Sequence, residues 1–342
     1  MNLLLTAFLC LTPGTGAPAD RPCVLVVVGA PGTPEYGSQF SQWAGQWQAA
    51  AVKAGAESIT IGTSGAGGGN DRERLRSVLA EKAAATAKAP ATANVAREPL
   101  WIVLIGHGTS DGREAKFNLR GPDVTDLELA EWLGPIKRPI AVLDCTSASG
   151  PFLNRLSGAD RVIVTAAKSG HELNFARFGQ YIAEAIADPR ADLDKDGQVS
   201  LLEAFITASS RVNEYYRTHS QLATEHALLD DNGDKLGTPA DWFRGVRATR
   251  RAKDGAALDG LRAHQLHLIP SDRERDIPPA VRQRRNQLEL SVAALRDEKN
   301  KLGAEEYYQR LEPLLVELAR LYRELQAGNG NPGETPPPRR TQ

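Results

Sequence analysis

Leu100-Trp101-Ile102-Val103-Leu104-Ile105-Gly106-His107-Gly108 and Pro139-Ile140-Ala141-Val142-Leu143-Asp144-Cys145 decide how this chain is read. Each is a short, unbroken apolar run that stops at a reactive side chain. Runs of this length bounded by Gly and Pro predict strands buried on both faces, as in a parallel sheet. The carboxyl ends of neighbouring strands in such a sheet open into the crevice where ligands bind. His107 and Cys145 are therefore expected to face one another, and a Cys beside a His is a nucleophile with its base.

The same alternation extends outward from these runs. Val24–Val28 and Ser58–Ile61 read as strands before them, and Arg161–Thr165 as a strand after. Between them, Tyr36–Ala54 carries Phe40, Trp43, Trp47 and Ala50 or Ala51 on one helical face. A second helix is expected from about Arg72, a third behind the capping box Thr125-Asp126-Leu127-Glu128, and a fourth over Phe152–Leu156. Lys116–Leu119 suggests a hairpin arm. Strands alternating with helices predict an α/β fold, a doubly wound and mostly parallel sheet. The Gly-rich run Gly65–Asn70 lacks the Lys-Ser or Lys-Thr of a phosphate loop and reads as a plain loop.

An apolar block ending in His-Gly, followed by a second ending in Cys, resembles the legumain and caspase clan of cysteine peptidases. Ile102–Gly108 and Ile140–Cys145 carry the resemblance, with Asp111-Gly112 as a further echo. The α/β pattern extends it over about residues 22–217, with a core over 22–188. It implies a caspase-like fold and hydrolysis of a protein or peptide substrate. Cys145 would attack the scissile carbonyl, His107 would act as acid and base, and the N–H groups of Gly108 and Cys145 would hold the oxyanion. Legumains usually carry Glu-Ala-Cys followed by Glu-Ser-Gly, where this chain has Leu143-Asp144-Cys145-Thr146-Ser147-Ala148-Ser149-Gly150. The departure leaves Ser147 and Ser149 as alternative nucleophiles of a serine-dependent hydrolase. It also leaves open a catalytically inactive scaffold that binds calcium and a protein partner. Lys168, His171 and Glu172, on the loop after the fifth strand, are expected to wall a substrate pocket.

A sharper motif lies downstream. Asp192-Leu193-Asp194-Lys195-Asp196-Gly197-Gln198-Val199-Ser200-Leu201-Leu202-Glu203 fits the EF-hand calcium loop at each diagnostic position. Asp192, Asp194 and Asp196 stand at positions 1, 3 and 5, and Gly197 permits the turn at position 6. Gln198 offers its carbonyl, Ser200 stands at position 9, and Glu203 supplies the closing carboxylate. Ca2+ is the expected cofactor, held within a segment spanning 189–217. A weaker acidic cluster, Asp230, Asn232 and Asp234, repeats the alternation but has no glutamate at the twelfth position.

Residues 218–270 read as an acidic loop and a last strand through His264–Ile269, on which His264 and His267 would point to opposite faces. Residues 271–326 read as a helical hairpin broken at Gly303, its apolar stripe docking on the core or on a partner protein. The Pro-, Gly- and Arg-rich residues 327–342 are expected to be disordered.

Composition narrows the function classes. A net charge of −1 over 342 residues gives no pull toward nucleic acid. No run reaches the ~18 apolar residues of a transmembrane helix. Leu3–Leu11 followed by small residues reads as a signal peptide over 1–19, and so as export. With that leader removed two of the three cysteines remain, no disulfide framework.

Overall fold

The structure, a computed structural model, describes residues 21–63, 70–87, 98–253, 255 and 257–328. The expected leader, the glycines of the Gly-rich run and residues 329–342 of the expected C-terminal tail lie outside the described residues, while Ala327 and Gly328 end the last helix. A seven-stranded sheet has the order β10-β9-β8-β7-β3-β1-β2. Its parallel strands are β1 (Cys23–Val28), β2 (Glu57–Ile61), β3 (Leu100–Ile105), β7 (Ile140–Asp144) and β8 (Arg161–Thr165). β1, β3 and β7 are almost wholly buried, as their unbroken apolar runs demand.

Alternation along the strands feeds two cores. Val24, Val26, Trp101, Val103, Leu143 and Cys145 pack under α1 (Pro34–Ala54), α5 (Phe178–Ala185) and α6 (Leu201–Thr218). Leu25, Val27, Ile102, Leu104 and Val142 pack under α2 (Asp71–Ala87), α3 (Asp126–Leu133) and α4 (Gly150–Leu156). Thr125 and Glu128 form the expected reciprocal cap of α3. The arm after His107 is larger than expected: β4 (Gly108–Ser110), β5 (Ala115–Phe117) and β6 (Val124–Thr125) make a small antiparallel sheet.

The strand expected at His264–Ile269 is not formed. The sheet ends instead with β9 (Leu228–Asp230) and a two-residue β10 (Thr238–Pro239), both antiparallel to their neighbours. A β11–β12 ribbon (Phe243–Arg244, Arg247–Ala248) follows. His264 falls on the short helix α7 (Leu261–Gln265), and His267 makes an isolated bridge to Ser200. Gly260, at φ 108°, opens α7 at a position only glycine adopts freely, so the chain turns away from the sheet there.

After α8 (Asp272–Arg275), the helices α9 (Pro279–Glu298) and α10 (Ala304–Gly328) form the expected antiparallel hairpin. Among the described residues no helix is long and apolar enough to cross a membrane.

Candidate functional site

His107 follows β3 and lies on the α1 face of the sheet. Its ring is packed by Tyr36 at 4.9 Å and Phe40 at 5.3 Å between centroids, with Phe175 at 6.1 Å. Its Nε2 lies 3.2 Å from the Pro31 carbonyl oxygen. Cys145 follows β7 on the same face, but its thiol is sunk in the core, 1% exposed. Among the described residues its sulfur has one hydrogen-bond partner, the Leu143 carbonyl at 3.9 Å. A Cβ placed on Gly179 would come within 2.9 Å of both Cys145 Cβ and the Trp43 ring, so the thiol is walled in. Burial, with the charges of Asp144 and Glu225 behind it, pushes the thiol well above its ordinary range. The structure thus brings the two residues to adjacent strand ends, and no hydrogen bond joins them.

The hydroxyls that follow are equally committed. Ser147, buried, donates to the Gly108 carbonyl at 3.1 Å and accepts the Gly108 N–H at 3.3 Å. Ser149 accepts the Ala167 N–H at 3.0 Å. Thr146, which the sequence reading passed over, donates to Asp144 Oδ1 at 2.6 Å. Thr146 and Ser147 pack so closely on the His-Gly turn that a Cβ on Gly108 would lie 2.7 Å from Thr146 Oγ1 and 2.2 Å from the Ser147 carbonyl oxygen. Gly108 is required there by space. The two N–H groups cast as oxyanion donors are also occupied: Gly108's by Ser147, and Cys145's by the Leu104 carbonyl at 3.0 Å.

Asp144, next to Cys145, is perturbed as well. Period-two alternation turns it to the face opposite Cys145. Burial raises its carboxyl to about 7, against the lowering bonds from Thr146, and its Oδ2 is buried without a partner.

The three residues expected to wall a pocket are arranged differently from one another. Glu172 is largely buried and accepts the N–H groups of Lys168 and His226, while its own carbonyl accepts the Ala148 N–H. Lys168 pairs with it at 3.7 Å, and His171 is exposed. The cavity beside the site, about 590 Å³, lies on the other side of Tyr36 and Phe175, lined also by Arg177 and Tyr216. The Arg177 guanidinium stacks 4.0 Å from the Tyr215 ring centroid. Nothing in the sequence pattern marked this cavity, because its walls come from α1, α6 and the loop before α5.

The acidic loop folds between a single 3₁₀ turn (Pro189–Ala191) and α6. Asp192, Asp194 and Asp196 place carboxylate oxygens within 4.8 Å of one another, and carboxylate oxygens of Asp194 and Glu203 lie equally close to a ring nitrogen of His264. Gly197 has φ 91°. Ser200 caps α6, and its hydroxyl donates to Glu203 Oε2 at 2.8 Å. The other Glu203 oxygen accepts the N–H groups of Leu193 and Asp194. The side chain of Gln198 donates to Asp196 and accepts the Ser271 N–H at 3.1 Å. Three converging carboxylates with a glycine at the turn fit a hard, oxygen-seeking cation. His264, which the sequence placed on a strand, reaches Asp194 Oδ2 at 2.9 Å.

In the second cluster, Asp230 accepts the N–H groups of Gly233 and Lys235, Asn232 that of Asp234, and Asp234 that of Leu236. These are nested turns in which side-chain oxygens satisfy the backbone. They do not form one of the two metal-capable groupings found among the described residues.

No protein-family model matches the chain, and no curated protein matches it. Among solved structures, it is similar to the Drosophila initiator caspase Dronc at 15% identity, over 64% of this chain and 82% of that one, with a TM-score of 0.42. Caspase-1 from Spodoptera frugiperda is similar at 9% identity, over 62% of this chain and 87% of that one, TM-score 0.38. Raptor from Chaetomium thermophilum matches at 10% identity, over 90% of this chain and 25% of that one, TM-score 0.33.

Proposed function

We propose that this chain uses a caspase-like fold as a non-catalytic binding scaffold for a protein or peptide partner, braced by Ca2+ in the 192–203 loop. The burial of the Cys145 thiol carries the reading. A nucleophilic cysteine acts as a thiolate and needs a path to the substrate carbonyl. Cys145 is 1% exposed, and its burial disfavours the thiolate. Ser147 and Ser149 are no better placed, since both hydroxyls are buried and bonded to the backbone. The partner would lie near the open ends of the strands, where Tyr36 and Phe175, the aromatic neighbours of His107, line the 590 Å³ cavity.

For the cation, Asp192, Asp194, Asp196 and Glu203 would supply oxygen ligands, with Asp194 held by His264. Calcium there would neutralise clustered carboxylates and fix the start of α6. A loop of this kind in an extracellular module fills at about 10⁻⁴–10⁻³ M calcium, which suits the export expected from the leader.

The competing reading is an exported cysteine endopeptidase. It is favoured by the placement of His107 and Cys145 on one sheet face at adjacent strand ends. An assay of peptide-library cleavage, with and without Ca2+, separates the two. The scaffold reading expects no hydrolysis above buffer and no change on Cys145→Ala or His107→Ala. Hydrolysis abolished by either substitution overturns it.

A further inference from the structure

The outer face of α10 is apolar and uncovered. Tyr308 is 60% exposed, Leu315 43% and Val316 41%, and Tyr322, 37% exposed, borders the face that packs on α9, where its hydroxyl donates to Glu289 at 3.1 Å. Tyr308, Leu311, Leu315, Ala319 and Tyr322 recur at three- and four-residue steps, which keeps them on one stripe. Tyr308, Leu311, Leu315 and Ala319 border a groove of about 490 Å³. Single exposed apolar residues are ordinary, but a continuous stripe of this kind marks an interface.

The charges beside the stripe identify what covers it. The first half of α10 carries Glu305 and Glu312 at the stripe's edge, and the second half carries Arg320 and Arg323. Glu312 and Arg323 have no ion-pair partner among the described residues. We infer that the stripe is closed by the same stripe of a second copy of this chain, the two α10 helices running antiparallel about a two-fold axis at Leu315.

That register sets Leu315 against its symmetry mate and Tyr308 opposite Tyr322. It brings Glu305 to Arg323 and Glu312 to Arg320, and the two-fold repeats both pairs. The contact runs about 27 Å, from Glu305 to Arg323 at 1.5 Å per residue. A parallel pairing would set glutamate on glutamate and arginine on arginine, so the charge order selects the antiparallel arrangement. A two-fold interface of one patch on itself is the commonest closed assembly.

The test is sedimentation velocity of the full chain at micromolar concentrations. The expected result is a dimer. Leu315→Arg, which places two like charges on the axis, gives a monomer with unchanged circular dichroism. The double variants Glu305→Arg/Glu312→Arg and Arg320→Glu/Arg323→Glu each lose self-association by at least about tenfold. Mixed together they dimerise again, because each then meets the opposite charge. A wild-type chain that stays monomeric overturns the proposal. So does a dimer that survives both Leu315→Arg and the separate charge reversals, since its interface must then lie elsewhere.

Discussion

Asp144 ends β7 with one carboxyl oxygen bonded to Thr146 and the other buried without a partner. Its folded-state value of about 7 lies above its ordinary 3.8, so the folded chain holds a proton that the unfolded chain releases. The stability from this group is complete below about pH 4, falls as pH rises, and is gone above about pH 7, a change on the order of 4 kcal/mol. Burial raises Glu225 and Asp259 in the same direction. His267, held down to about 4, works in the opposite sense between its ordinary 6.5 and that value. Asp144→Asn should therefore flatten the fall in urea midpoint between mildly acidic and mildly alkaline buffer. Ser147→Ala should leave the buried Gly108 N–H unpaired and cost about 1–3 kcal/mol in the same measurement. Iodoacetamide should leave the Cys145 peptide unmodified in folded protein and alkylate it in urea, read by mass spectrometry. The strand ends that carry His107 and Cys145 were legible in the sequence, because each unbroken apolar run is cut by a glycine or a polar residue where its strand stops. The direction of the thiol was not legible. It depends on Gly179 and Trp43, which reach it from helices distant in the chain.

At the scale of elements, the 192–203 loop is tied to the segment that follows α7. Ser200 bridges to His267, the Leu201 N–H donates to the Leu266 carbonyl at 2.8 Å, and Gln198 accepts from Ser271. That segment in turn holds the hairpin: Gln265 donates to Glu289 at 2.8 Å, and Glu274 meets Arg285 through two bonds of 2.7 and 2.8 Å. Filling the loop should raise thermal stability, by about 2.7 kcal/mol at a hundredfold excess over Kd. Calorimetry with Ca2+ and with chelator should show the gain in wild type and its loss in Asp192→Asn/Asp194→Asn. Arg285→Met strands Glu274 in a buried place, at about 3–5 kcal/mol. It should release α9 and α10 to limited proteolysis before the core is cut. The loop was legible because its spacing is local. The last strand was misplaced because His264–Ile269 has the apolar content of a strand, while β9 already occupies the sheet edge beside β8. Tertiary competition decided that outcome, and it leaves no mark on the segment itself.

The described residues form a mostly parallel sheet between two helical layers, with a helical hairpin tied to one side. Its layered order followed from alternating strand and helix patterns. The partners of its surfaces did not, because exposed faces are written by contacts outside the chain. The two free margins of the sheet differ from its interior. On one side β10 is two residues long and ends in Pro239, which has no N–H to offer. On the other, β2 turns Glu57 and Ser58 outward, and Lys82 reaches across to Glu57 at 2.6 Å. Both margins are thus blunted against a strand from a neighbouring molecule, one by its shortness and its proline and the other by the charges at its start. Concentrated solutions should accordingly stay free of thioflavin-binding, sheet-on-sheet growth, and a chain destabilised in its helical layers should unfold before it stacks into fibres.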